Sequence, residues 1–187
     1  MARRFFTRWI DRILCKPLRL TLESPERLLK TYVGPGMTVL DVGCGEGPYS
    51  IGMARLVGPS GCVVAVDTQV DVIEAAKQRA ARVDLSATIE FRVCADRDLG
   101  VDDIAGQVDF ALAVYVFHHA ADPACLISDI HRVLKPKGVL LVVEPRHHAS
   151  PAECEAIDAA AHAAGFATTE YPTLWRDWSV RFEKSPP

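Results

Sequence analysis

Most features that would assign this sequence to a special environment are missing from it. No run of about eighteen apolar residues occurs, so no bilayer-spanning helix is expected. The amino-terminus has two early arginines but no apolar stretch leading to small cleavage-site residues, so export is not expected and the chain is placed in the cytoplasm. Repeats, low-complexity tracts and interdomain linkers are all lacking. Six cysteines are present (Cys15, Cys44, Cys62, Cys94, Cys125 and Cys154), yet none forms a CxxC or a Cys/His spacing. A disulfide framework and a zinc site are both disfavoured by that scatter, and the thiols read as small buried hydrophobes in a reducing compartment. The pair His147-His148 lacks a third ligand and its adjacent side chains diverge, so no metal is expected. A formal net charge of -3 excludes a general polyanion binder.

What is there is an ordinary globular composition. Of 187 residues, 49% are apolar and 24% charged, enough for one domain with one core. The division expected is residues 1–24 as an amphipathic extension and 25–187 as the main domain. In "ARRFFTRWIDRILC", Phe5, Phe6, Trp9, Ile10, Ile13 and Leu14 recur at helical spacing among Arg3, Arg4, Arg8 and Arg12. Two readings of residues 2–19 stay open: a helix capping the core with solvated arginines, or an element lying on a membrane surface or over an apolar substrate. An exposed hydrophobic helix there would equally serve a dimer contact. Next comes "ESPERLLKTYV", with Ser24 as N-cap and Pro25 at the first helical position.

From residue 37 strands and helices alternate. "MTVLDVG", "GCVVAVD", "ATIEFRVCAD", "VDFALAVYVFH" and "GVLLVVEP" read as five strands, and continuously apolar runs such as "VLLVV" predict burial on both faces. Helices are expected in "PYSIGMARLVG", "VDVIEAAKQRAARV", "PACLISDIHRVL" and 151–164. The tail "FATTEYP" and "WSVRFEK" predicts an antiparallel hairpin at the sheet edge. The fold class is therefore α/β: a doubly wound, Rossmann-like, mostly parallel sheet.

In such sheets ligands bind beyond the carboxyl ends of the strands, where strand order reverses. The first strand runs into "DVGCGEGP", with glycines at 43, 45 and 47. Glycines there permit positive φ and let backbone approach a ligand closely. The third glycine comes one residue too early for the dinucleotide pattern G-x-G-x-x-G, and no P-loop lysine follows. Asp67 closes the second strand twenty residues past Gly47, placed to accept hydrogen bonds from a ribose. Asp96, in "CAD", is expected on the same rim. Three acidic strand tips at 41, 67 and 96 repel a pyrophosphate and suit a cationic nucleoside.

These residues, in this order, resemble a known family. "VLDVGCGEGPYS", "VVAVD", "CAD", "VDFALAVYVFHHAADP" and "HRVLKPKGVLLVVEP" are similar to the successive motifs of class I S-adenosylmethionine-dependent methyltransferases, nearest to the small enzymes of ubiquinone and menaquinone biosynthesis. The likeness runs from about residue 22 to the carboxyl terminus. It implies a seven-stranded sheet with the last strand antiparallel and S-adenosylmethionine as cofactor. It also implies a cofactor site of Asp41, Gly43, Cys44, Gly45, Gly47, Asp67, Thr68, Ala95, Asp96, Ala113 and Tyr115. Asp41 would organise the turn, Asp67 hold the ribose, Asp96 meet the adenine, and backbone at Ala113 meet the methionine moiety. His118 and His119, at the mouth of the crevice, are the candidates for a general base. Glu144, Arg146, His147 and His148 ring the same rim.

No inserted domain or basic aromatic stripe points to nucleic acid, so a small, apolar acceptor is expected, quinone- or lipid-like. Two other classes stay open: a non-catalytic S-adenosylmethionine-binding protein, and an NAD(P)-dependent oxidoreductase, which the glycine spacing disfavours.

Overall fold

The computed structural model describes residues 24–174 and 177–186. The amphipathic segment 2–19, with Cys15, and Trp175 lie outside the described residues. Among the described residues five helices, α1 (Pro25–Leu29), α2 (Pro48–Val57), α3 (Val70–Ala81), α4 (Pro123–Val133) and α5 (Pro151–Ala163), accompany seven strands. The strands are β1 (Thr38–Val42), β2 (Cys62–Asp67), β3 (Ile89–Val93), β4 (Val108–Val114), β5 (Leu134–Glu144), β6 (Phe166–Glu170) and β7 (Trp178–Lys184).

Local signals decide where the helices begin. Ser24 accepts the Arg27 amide at 3.2 Å and Asp122 accepts that of Cys125 at 3.1 Å, each ahead of a proline at the first helical position. Ser150 and Glu153 form a reciprocal capping box on α5. Gly58, at φ 66°, closes α2.

The sheet order is β3-β2-β1-β4-β5-β7-β6. The first five in that order are parallel, while β7 runs antiparallel to both β5 and β6. The expected hairpin therefore forms, with β7 inserted against β5 and β6 left as the edge. Within the central strands consecutive side chains pack on opposite faces. Leu40, Val64, Val66, Ala111 and Val142 meet α4 and α5 through Ile127, Ile130 and Ile157. Val39, Val63, Phe110, Leu112 and Leu141 meet the other helices through Leu29, Met53 and Ile73. Each large side chain so buried contributes about 1.5–3 kcal/mol relative to exposure, so two apolar layers hold the sheet between helices.

Three boundaries differ from the sequence reading, the first being β4, which ends at Val114 and not at His118 because Phe117–His119 turn into a 3-10 helix. β3 ends at Val93, not at Asp96: Cys94 donates its amide to the Asp67 carbonyl, and Ala95 and Asp98 then bridge across a tight turn. β5 begins at Leu134 and takes in the "KPKG" expected as a helix closure, with Lys137 at φ 64° and a register shift against β4 between Val108 and Phe110. No helix among the described residues is long and apolar enough to cross a membrane.

Candidate active site

Strand order reverses between β1 and β4, which pair directly, Val42 beside Ala113. The two loops leaving these strands therefore flank one crevice at the carboxyl edge of the sheet. The β1 loop carries three left-handed glycines, Gly43 (φ 65°), Gly45 (φ 56°) and Gly47 (φ 79°). The first of these is a contact requirement as well as a backbone one: a Cβ at Gly43 would lie 2.7 Å from Val116 Cγ2, in the loop after β4. The bare backbone lets the loops touch.

The carboxylates play unequal parts. Asp67, only 8% exposed, reaches back from β2 and accepts the Gly45 amide on Oδ2 and the Gln69 amide on Oδ1, each at 3.0 Å. It thereby fixes both the glycine turn and the start of α3. Asp41 is buried and turned onto α2, where Ser50 Oγ donates to its Oδ2 at 2.5 Å. Desolvation pushes the Asp41 carboxyl up to about 7, Ser50 pulls against that, and the charge of Asp67 adds to it. The expected row of three charged tips is thus corrected: Asp41 faces into the protein as an acid only partly ionised near neutrality. Asp96 is exposed on the 95–98 turn, beyond the end of its strand, beside exposed Ala95. Thr68 is exposed at the bend before α3.

Cys44 is buried and its amide donates to the Val66 carbonyl at 2.9 Å. Burial raises its thiol far above the ordinary range, so the sulfur is inert as a nucleophile. Ala113 is fully buried between β1 and β5, leaving only backbone to offer a ligand.

Beyond Ala113 the chain does something the sequence does not announce. Tyr115 adopts φ 62°, a conformation few bulky residues take, while its amide donates to the Val143 carbonyl at 2.8 Å. Its hydroxyl hydrogen-bonds the Asp177 carboxylate, just ahead of β7. After it comes a single 3-10 turn, Phe117–His119. Glu144, wholly buried at the tip of β5, organises that turn: Oε1 accepts the Val116 amide at 3.0 Å and the Phe117 amide at 2.8 Å, and Oε2 binds His118 Nδ1. The imidazoles then run in a chain, with ring centroids 3.9 Å apart for His118–His119, 6.0 Å for His118–His148 and 5.9 Å for His147–His148. Of the two candidate bases, His118 is largely buried, its side chain 9% exposed, and His119 is exposed. Among the described residues no group of three or more His, Cys, Asp or Glu could hold a metal ion. The sequence pattern marks Glu144 only as a rim residue and gives no sign of Asp177. Nothing local distinguishes a carboxylate that turns inward.

The architecture is that of an open α/β sheet whose strand order reverses between β1 and β4, the place where such sheets bind ligands, and comparison with known proteins agrees. A family model described as a methyltransferase domain matches residues 34–180. A 2-phytyl-1,4-naphtoquinone methyltransferase of Nostoc sp. is 34% identical over 114 residues, 61% of this chain and 49% of that protein. A structure described as a SAM dependent methyltransferase from Aquifex aeolicus superposes with a TM-score of 0.79 at 25% identity, covering 90% of this chain and 93% of that one. The cyclase SpnF shares the fold alone, at a TM-score of 0.71 and 18% identity over 87% and 81% of the two chains. The chain spans about half the length, or less, of the curated relatives it matches.

The chain belongs to the methyltransferase-domain family, of the class I type that uses S-adenosylmethionine.

Proposed function

We propose that the protein transfers the methyl group of S-adenosylmethionine to a small, apolar acceptor, quinone- or phenol-like, in the crevice between the loops after β1 and β4. The observation that carries this is the cradle at positions 43–47. Left-handed glycines keep side chains away from the switch point, and Asp67, held by Gly45 and Gln69, fixes the bend beneath it. Such a surface fits a nucleoside laid against backbone. The carboxylate acceptors of Asp67 and Asp96 fit ribose hydroxyls, an adenine amino group and a positive sulfur, and oppose a pyrophosphate.

When bound, the sulfonium supplies an already activated methyl group, so transfer is an in-line displacement. The residues of this chain then have to bind, align and exclude water. Gly43, Cys44, Gly45 and Gly47 offer backbone to the cofactor, with Thr68, Ala95, Ala113 and Tyr115 around it. His118 and His119 stand on the acceptor side. A quinone-type acceptor is supported by the likeness to the Nostoc naphtoquinone enzyme.

The fold also hosts a protein named as a cyclase, which makes a non-transferring binder the specific alternative. Incubation with methyl-labelled S-adenosylmethionine and a panel of hydroquinones, phenols and lipids separates the two. Labelled product is expected from a hydroquinone or phenol. Tight cofactor binding with no labelled product from any acceptor would favour the binder.

A further inference from the structure

We infer that Glu144 is a positioning residue that holds His118 with its hydrogen on Nδ1, so that Nε2 takes the proton of a hydroxyl-bearing acceptor. This rests on the methyl-transfer reading above, and it selects the acceptor class: a phenol- or hydroquinone-type oxygen in preference to an amine or thiol.

Glu144 is fully buried, yet each of its carboxylate contacts is to the loop after the neighbouring strand: the Val116 and Phe117 amides on Oε1 and His118 Nδ1 on Oε2. A carboxylate accepts, so the tautomer assigned to His118 carries its hydrogen on Nδ1 and an open lone pair on Nε2. Nε2 makes no hydrogen bond to any described residue. The groups facing the ring are Glu144, the Tyr115 phenol, the His119 and His148 imidazoles and, through its charge, Glu153. Among the described residues no Lys or Arg makes a hydrogen bond or ion pair with the His118 ring. An arrangement that only braced the turn would need the two amide bonds; the third, to Nδ1, fixes a tautomer.

The chemistry explains why a hydroxyl is the matching acceptor. Phenol-type hydroxyls ionise near pH ~10 and at neutral pH need a base, whereas a neutral amine attacks as it stands and a thiol ionises readily near pH ~8.5. In the step the acceptor O–H bond breaks, and its proton goes to His118 Nε2. The new oxygen–carbon bond forms as the carbon–sulfur bond of the sulfonium breaks, its electron pair remaining on sulfur as a thioether. The proton then passes to solvent. No redox partner is required.

Glu144→Gln is the informative substitution. The glutamine carbonyl still accepts the loop amides, but its NH2 donates to Nδ1 and forces the ring hydrogen onto Nε2, which removes the base while keeping the shape. Two readouts decide. In the ligand-free full chain labelled with 15N-histidine, the His118 signals, identified by their loss in His118→Gln, are expected to show a protonated Nδ1 in the wild type and a protonated Nε2 in Glu144→Gln. A protonated Nε2 in the wild type would overturn the inference. In turnover with a series of substituted phenols of graded acidity, kcat in Glu144→Gln and His118→Gln is expected to fall about 100-fold or more for the least acidic. For phenols already ionised at the assay pH it should fall only a few-fold, with KM little changed. A uniform loss across the series, or turnover confined to amines and thiols, would overturn the inference and leave methyl transfer standing. Absence of S-adenosylmethionine binding by the wild type would overturn both. If Glu144→Gln does not fold, the wild-type tautomer and the His118→Gln series decide alone.

Discussion

Gly43 and Val116 meet across the switch point of the sheet, so closely that a Cβ on the glycine would stand 2.7 Å from Val116 Cγ2. Gly58 has a similar positive φ, 66°, with no heavy atom within 4 Å of such a Cβ. The two positions thus separate backbone strain from collision. Gly58→Ala is expected to cost about 1–3 kcal/mol from its glycine-only backbone conformation, φ 66° with ψ -169°, alone. Gly43→Ala should cost a further 1–3 kcal/mol or so from overpacking, and should weaken cofactor binding besides. Urea unfolding of both variants and titration with S-adenosylmethionine check this; equal costs would show that the loops yield freely.

Asp41 predicts a pH signature. Its carboxyl is pushed from 3.8 to about 7 in the folded protein, chiefly by burial. An acid that holds its proton more tightly when folded contributes stability fully below its unfolded value, loses it as the pH rises towards about 7, and changes nothing beyond. Asp41→Asn keeps an acceptor for Ser50 Oγ and has no proton to lose. The stability of the variant relative to the wild type should therefore rise between about pH 4 and about pH 7 and then level off. Denaturant midpoints of the two proteins across that range give the answer, and a difference that stays flat would place Asp41 in a wetter setting.

Asp67 and Asp96 should not respond alike. Asp67 uses both oxygens on backbone amides, and Asn at that position would present an NH2 to one of them. Asp67→Asn is expected to lower S-adenosylmethionine affinity by at least 100-fold, about 3 kcal/mol, because the charged bonds and the turn go together. Asp96 stands exposed on a turn, and Asp96→Ala should cost less than about tenfold, near 1.4 kcal/mol. Calorimetric titration of both variants measures the contrast; a reversed order would move the ribose contact to the β3 side.

Much of this could be read directly from the chain. "VLDVGCGEGPYS" displays the strand, the bend and the helix start together, since glycine spacing and a proline at the first helical position act locally. The alternation from residue 37 onwards exposes the parallel sheet, and the gap without a helix before "WSVRFEK" exposes the antiparallel end. What stayed hidden depends on contacts distant in sequence. β5 is buried on both faces, so no periodicity tells that Glu144 turns towards Val116, Phe117 and His118. Tyr115 carries no residue-type signal for φ 62°. Asp41 looked like one of three equivalent tips because the pattern shows where a strand ends, not which way its last carboxyl turns. Asp96 fell off its strand because Cys94 pairs with Asp67, and the chain then bends at 95–98.

The most direct test is calorimetric titration of the purified chain, side by side, with S-adenosylmethionine and with NADH. Saturable one-to-one binding of the sulfonium nucleoside, lost in Asp67→Ala, with no heat from the dinucleotide, is the expected result. Binding of NADH in its place, or S-adenosylmethionine affinity untouched by Asp67→Ala, would contradict the account.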